Sequence, residues 1–111
     1  MAVEFIHEKN RLTAVVKGEI DHHSAAEIRI MTDGELERSM PAALIFDMSG
    51  VTFMDSSGVG LILGRAREMQ SWGGRVMIAE PSPRAEKILK LSGLGSLVMK
   101  KAGKQKNADS K

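Results

Sequence analysis

The chain has 111 residues, which is enough for one domain with a single hydrophobic core and too few for two. Its 42% hydrophobic and 27% charged residues are typical of a folded domain rather than a disordered chain, and the absence of cysteine excludes thiol chemistry and favours a reducing, cytoplasmic setting. The net charge is +2, and no apolar run approaches the ~18 residues of a membrane span.

The positive charge is concentrated at one end of the chain, in a polar stretch without apolar periodicity. The lysines there are Lys100, Lys101, Lys104, Lys106 and Lys111. We therefore predict a folded domain over residues 1–100 and a basic tail over 101–111 that lacks regular structure. Aromatic residues are only 4% of the chain, too few for a stacking platform, so we expect no direct binding of nucleic acid.

The first half of the chain predicts a hairpin, a helix and a strand. Residues 3–6 and 12–16 are apolar runs on either side of a turn-like segment, as in a β-hairpin. Ser24 followed by Glu27 matches a capping box, which predicts a helix that starts at Ser24 and reaches about residue 40. Residues 43–46 form a continuous apolar run, which is typical of a central strand covered on both faces.

The second half begins with a predicted loop over 47–54, in which Val51 and Phe53 plug the core. The helix predicted over 57–71 has the clearest apolar stripe. That stripe consists of Val59, Ile62, Leu63, Ala66 and Met69. Residues 75–79 predict another buried strand, and Ser82 followed by Pro83 predicts the start of a third helix. Residues 97–99 predict a short edge strand.

The predicted order of elements is β-β-α-β-α-β-α. The hairpin gives one antiparallel pair, and each strand–helix–strand crossover gives a right-handed parallel connection. The fold class that follows is α/β, with a mixed sheet and packed helices.

The sharpest local feature is the segment Phe53-Met54-Asp55-Ser56-Ser57-Gly58-Val59-Gly60. It follows a central strand and opens the strongest helix, where open α/β sheets commonly bind their ligands. The hydroxyls of Ser56 and Ser57 and the carboxylate of Asp55 are equally typical of simple helix caps. Gly58 and Gly60 would leave the first turn bare, so that another backbone could approach closely.

Other chemistries fit the residues poorly. Neither Ser56 nor Ser57 has the glycines of a hydrolase elbow, and the glycine spacing misses the dinucleotide fingerprint and the P-loop. His22 and His23 lack further ligands at metal-binding spacing. We therefore predict no catalytic residue, no metal site and no cofactor.

A second stripe lies beside the core stripe of the same predicted helix. It consists of Leu61, Arg65, Glu68 and Trp72. A mixed face with the only tryptophan of the chain resembles a protein interface. The alternative is that Leu61 and Trp72 only cover the rim of the sheet.

Three segments together resemble a known family. Residues 18–25 (GEIDHHSA), the strand that ends at Asp47, and residues 53–65 (FMDSSGVGLILGR) are similar to the STAS-domain anti-sigma factor antagonists, above all the sporulation type. The resemblance covers residues 3–99 and implies a single STAS domain. Members commonly continue into a final amphipathic helix, whereas 102–111 has no apolar period.

The resemblance also implies a mechanism. Unphosphorylated antagonist binds an anti-sigma factor that is a serine kinase, which frees a sigma factor. The kinase uses its own ATP and magnesium to phosphorylate Ser56, and a PP2C-type phosphatase resets the cycle. The protein would be a kinase substrate and not an enzyme. The expected partner-binding residues are Asp21, His22, His23, Asp55, Ser57, Gly58, Gly60, Leu61 and Arg65; Asp21 is our hypothesis for pairing a basic residue of the kinase.

Two alternatives stay open. One is a STAS regulator of a stress-response pathway that has different partners and the same switch. The other is a small-ligand or nucleotide-binding domain that uses the turn at residues 58–64.

Overall fold

A computed structural model describes residues 3–99, and the predicted tail at 101–111 lies outside this range. The elements are β1 (Val3–Glu8), β2 (Arg11–Ile20), α1 (His22–Ser39), β3 (Ala43–Met54), α2 (Ser56–Gln70), β4 (Arg75–Ala79), α3 (Pro83–Leu91) and a 3-10 turn (Gly95–Leu97). This order confirms the predicted β-β-α-β-α-β-α arrangement.

The strands form one mixed sheet in the order β1-β2-β3-β4. The β1–β2 hairpin is antiparallel, whereas β2, β3 and β4 run parallel to one another. The carboxyl ends of β2 and β3 therefore lie side by side, with Ile20 level with Met54. The two helices that follow these strands begin at the same edge of the sheet.

The core lies between the sheet and the helices, because α1 packs on α2 and on β2, and α2 packs on β4 and α3. Its largest fully buried side chains are Phe46, Leu12, Ile20, Ile28, Leu36, Leu44, Met48, Ile62, Met69, Ile78, Leu89 and Val16. Burial of each such side chain contributes roughly 1.5–3 kcal/mol, so this layer holds the helix starts in fixed positions at the sheet edge.

The loop predicted over 47–54 is wrong, because β3 continues through these residues to Met54. Polar residues along 47–52 made the segment look like a loop, but the end of β2 supplies its backbone partners. The pairing passes two register shifts, each of which places one extra residue on β3, before it ends at Met54. Val51 packs against the core as expected, whereas Phe53 is 45% exposed and plugs nothing.

The start of α1 is also corrected. The N-cap is Asp21, and Ser24 is the third helical residue of a capping box closed with Asp21. The sequence contains two overlapping cap patterns, one at Asp21 and Ser24 and one at Ser24 and Glu27, and the earlier one begins the helix.

The last predicted elements agree in part. Ser82 caps α3 through the backbone N–H of Ala85, with Pro83 in the first turn, as predicted. The edge strand at 97–99 is reduced to a single parallel bridge between Val98 and Ile78 after the 3-10 turn. No helix within residues 3–99 is long and apolar enough to span a membrane.

Candidate functional site

The site lies where two helices begin next to each other. Asp21 follows β2 and caps α1, and Asp55 follows β3 and caps α2. The backbone N–H of Asp55 donates to the carbonyl oxygen of Ile20 at 3.1 Å. This hydrogen bond ties the two helix starts to one strand pair and fixes their spacing.

At the start of α1, the side chains of Asp21 and Ser24 are both held by hydrogen bonds. The Asp21 carboxylate accepts from the backbone N–H of Ser24 at 2.9 Å, and the Ser24 hydroxyl accepts from the backbone N–H of Asp21 at 3.0 Å. The same hydroxyl donates to the Glu19 carbonyl at 2.7 Å. The hydrogen bonds from Ser24 lower the pKa of Asp21 below its ordinary value, because they stabilise the ionised form.

The start of α2 has an aspartate cap but no reciprocal side-chain hydrogen bond to complete a capping box. Asp55 Oδ1 accepts from the backbone N–H of Ser57 at 2.8 Å, and the backbone N–H of Gly58 donates to the Asp55 carbonyl at 3.0 Å. Ser56 is the first residue of the helix and is exposed. Within the described chain, its hydroxyl makes no hydrogen bond. Another molecule could therefore reach this hydroxyl without breaking a hydrogen bond of the domain.

The structure divides the roles of the two serines. Asp55, and not Ser57, caps α2, so the capping role considered for Ser57 is wrong. Ser57 is half-buried and lines the groove between α1 and α2. Of the two adjacent hydroxyls, the exposed one belongs to Ser56.

The two glycines of the motif also differ. A Cβ on Gly58 would lie 2.5 Å from Cγ and Sδ of Met54, so Gly58 is needed for packing inside the domain. Gly58 is buried, and its predicted contact with a partner stays a prediction. A Cβ on Gly60 would meet nothing within 4 Å, and Gly60 is exposed.

An open groove of about 330 Å³ runs between α1 and α2 beside Ser56. It is lined by His22, Ala25, Ala26 and Arg29 from α1 and by Ser57, Gly60 and Leu61 from α2. The groove brings together four of the predicted partner-binding residues. Arg29 was missed, although it follows His22 by seven residues and so shares its helix face.

The second stripe of α2 faces α1. Leu61 and Arg65 are only 5% and 7% exposed, and the Nε atom of Arg65 lies 2.9 Å from Oδ1 of Asp33. Trp72 donates its indole N–H to the carbonyl oxygen of Pro41 at 2.9 Å. The guanidinium of Arg65 therefore joins two helices of the same domain, and its predicted contact with a partner stays a prediction. Leu61 reaches only the floor of the groove.

Glu68 is a third charged group that interacts with the ion pair of Arg65 and Asp33. Burial raises the pKa of Glu68 above its ordinary value, the nearby Asp33 carboxylate raises it further, and Arg65 opposes the rise. Glu68 is half-buried. This cluster lies further along α2 than Ser56 and belongs to the contact between α1 and α2.

The two histidines are both exposed. His23 Nε2 lies 3.7 Å from Glu27 Oε2. Among residues 3–99, no three His, Cys, Asp or Glu side chains converge in a way that could hold a metal ion. The histidines stand beside Asp21 on the same edge of the sheet as Ser56.

Comparison with known proteins agrees with this architecture. The profile of the STAS domain matches residues 3–106. The chain belongs to the STAS domain family. A relative from Lysinibacillus sphaericus, named anti-sigma F factor antagonist, is 41% identical over 91 residues, which are 80% of this chain and 78% of the relative.

Solved structures show the same domain. The antagonist SpoIIAA in its unphosphorylated form is 32% identical, with a TM-score of 0.83 over 94% of this chain and 91% of that chain. The Bacillus cell fate determinant SpoIIAA in the phosphorylated form is also 32% identical, with a TM-score of 0.75 over 94% of this chain and 95% of that chain. The predicted single α/β STAS domain is confirmed.

Proposed function

We propose that this protein is an anti-sigma factor antagonist of the sporulation type, which works in the cytoplasm by partner switching. The unphosphorylated form binds an anti-sigma factor that is also a serine kinase, and the sigma factor is freed. The kinase, with its own ATP and magnesium, phosphorylates Ser56, and the modified antagonist dissociates. A PP2C-type phosphatase then restores the starting form. The protein itself is a substrate and not an enzyme.

One observation carries this proposal: the hydroxyl of Ser56 is exposed and unbonded at the start of α2. A phosphoacceptor must reach the active site of another protein, and a hydroxyl already bound to its own backbone would have to break those bonds first. Ser24 is bound in that way, and Ser57 is half-buried.

The transfer step needs only the hydroxyl from this chain. Ser56 Oγ forms a bond to the γ-phosphorus of ATP, the bond to the bridging oxygen breaks, ADP leaves, and the hydroxyl proton is released. Asp55 fixes the turn that presents Ser56, through its hydrogen bond to Ser57. The phosphatase reverses the modification by hydrolysis, in which water replaces the serine oxygen on phosphorus.

Charge explains why the product would dissociate. Phosphate adds about −1.5 to −2 charges at an edge that already carries Asp21 and Asp55. The backbone N–H groups of the helix start accommodate an anion, so the fold should survive. A partner packed against this edge would meet added bulk and uncompensated negative charge. A penalty of about 3 kcal/mol weakens binding by roughly two decades.

The relatives support the same assignment. SpoIIAA has been solved in both unphosphorylated and phosphorylated forms, and this chain matches the fold of both. The relative that is 41% identical is named for sigma F antagonism, which favours the sporulation pathway over a stress-response pathway.

Asp21 is the proposed partner for a basic residue of the kinase, with His22 and His23 beside it. Because the Asp21 carboxylate also caps α1, alanine would remove both the charge and the cap. Asp21→Asn is the better variant, since asparagine caps equally well and carries no charge. We expect weaker binding to the kinase at unchanged helix content; unchanged affinity would refute the pairing.

The test of the proposed function is phosphate mapping. The protein is mixed with the anti-sigma factor of the same organism and ATP–magnesium, and intact and peptide mass spectrometry locate the phosphate. We expect one phosphate on Ser56, its loss in Ser56→Ala and its retention in the matched Ser57→Ala. A stable complex without phosphate would make Ser56 a structural residue and the protein a constitutive binder.

A further inference from the structure

We propose that the groove between α1 and α2 receives an apolar side chain of the anti-sigma factor, and that Arg29 pairs with a carboxylate next to that side chain. The proposal rests on the proposed function and specifies its partner chemistry. The segment of the anti-sigma factor that docks here would combine an apolar residue with an aspartate or glutamate.

The shape of the groove supports a side-chain guest. Its volume of about 330 Å³ is at the small end of the ~300–1,000 Å³ range of ligand pockets, and one side is open. Ala25, Ala26 and Leu61 give it small apolar walls and an apolar floor. Such a groove suits a protruding aliphatic or aromatic side chain, which buries apolar surface on both partners.

The charge of the groove comes from Arg29. Its side chain is exposed and has no ion pair or hydrogen bond within residues 3–99. Three acidic groups of the same helix pair with other residues: Glu27 with His23, Asp33 with Arg65, and Glu35 with His7 and Arg38. Glu37, the fourth, lies about two helical turns beyond Arg29. An unpaired guanidinium at the wall of an apolar groove matches a carboxylate of the partner.

Gly60 gives the groove part of its depth. It lines the groove, and a Cβ at this position would contact nothing in the domain. Alanine at position 60 would therefore place a methyl group in the space of the guest without disturbing the fold. Gly64, one turn later, has the same open surroundings and does not line the groove, which makes it a matched control.

The proposed contact also links binding to phosphorylation. Ser56 adjoins Ser57, which lines the groove. A phosphate on Ser56 would place a like charge close to the partner carboxylate that Arg29 attracts, so the two anions repel each other. The same carboxylate that gives affinity in the unmodified state would give sensitivity to phosphate in the modified state.

The test measures the affinity of purified variants for the anti-sigma factor of the same organism, by titration calorimetry without ATP. We expect Gly60→Ala and Arg29→Glu each to weaken binding about tenfold or more. Gly64→Ala and Arg67→Glu should stay within about twofold of the unmodified protein, since Arg67 is an exposed arginine on α2 outside the groove. Thermal melts of all four variants check that each is folded.

The outcomes separate this inference from the proposed function. If the unmodified protein binds and both groove variants bind equally well, the groove proposal is overturned and the antagonist function stands. If the unmodified protein does not bind, the function fails and the groove proposal fails with it. A lysine in place of one surface aspartate or glutamate of the anti-sigma factor should restore binding to Arg29→Glu; if no such exchange does so, the proposed charge pair is wrong.

Discussion

The starts of α1 and α2 share an aspartate N-cap but differ in whether the neighbouring serine hydroxyl is hydrogen-bonded. Each follows a parallel strand of the sheet, and each is capped by an aspartate, Asp21 or Asp55. At α1 the third helical residue is Ser24, whose hydroxyl closes the capping box. At α2 the third residue is Gly58, which has no side chain to close a box.

This difference shows how one helix start can be stable and still reactive. The first turn of α1 is stabilised by hydrogen bonds between its own side chains and backbone. The first turn of α2 is held from the core side, because the absence of a side chain at Gly58 lets the turn pack against Met54. The hydroxyl of Ser56 has no partner within the described residues, as the proposed phosphoacceptor role requires.

The largest expected change in stability comes from adding a methyl group where the first turn of α2 packs on Met54. In Gly58→Ala the new methyl group would lie 2.5 Å from the side chain of Met54. Such overpacking lowers the free energy of unfolding by about 1–3 kcal/mol. The higher helix propensity of alanine raises it by up to ~1 kcal/mol. Gly60→Ala gains the propensity without the clash. We expect urea unfolding to separate the two variants by about 2 kcal/mol, with Gly58→Ala the less stable. Equal stabilities would contradict the packing role.

A smaller effect comes from removing one hydroxyl from each turn. Ser24→Ala breaks the capping box and should cost about 1 kcal/mol of unfolding free energy. Ser56→Ala removes a hydroxyl without a partner in the described structure and should change stability by less than ~0.5 kcal/mol. Chemical denaturation of both variants checks this contrast. Equal losses would show that Ser56 is a structural residue.

Acid should weaken the first turn through Asp21. The pKa of Asp21 is lowered in the folded protein by its hydrogen bonds to Ser24, so the unfolded chain binds a proton first as the pH falls. The stabilisation is complete above the ordinary pKa of aspartate and is lost as the pH falls through the lowered pKa. Unfolding curves between pH 2 and 7 should show this loss in the unmodified protein and not in Asp21→Asn. The same acid dependence in both would contradict it.

Glu68 should respond to pH with the opposite sign. Its pKa is raised in the folded protein by burial and by Asp33, so the folded state binds the proton more tightly. Its contribution is present below the ordinary pKa of glutamate and is lost as the pH rises through the raised pKa. Glu68→Gln should therefore be more stable than the unmodified protein at pH 7, with a smaller gain at pH 4. A loss of stability at pH 7 would contradict this sign.

Local patterns predicted the order of elements well, because apolar runs and helix caps are properties of short segments. The extension of β3 over 47–54 was missed because its stabilising partner, the end of β2, is about thirty residues away in sequence. No local pattern reports such a pairing. The choice between Asp21 and Ser24 as the cap likewise depended on where β2 ends.

The site was predicted in part. Ser56 and Asp55 came from a motif whose spacing is fixed by one helix turn. The ion pair of Arg65 with Asp33 was not predicted, because Asp33 lies on another helix and the crossing of two helices cannot be read from either alone. Arg29 was missed for the same reason, since the groove exists only where α1 and α2 meet.

The most direct test of the account compares one affinity before and after a single modification. The protein is phosphorylated on Ser56 and purified, and its affinity for the anti-sigma factor is measured beside that of the unmodified protein, then again after treatment with a PP2C-type phosphatase. We predict binding weaker by about two decades, which corresponds to about 3 kcal/mol, and full recovery after dephosphorylation. Equal affinity of the two forms would contradict partner switching at Ser56.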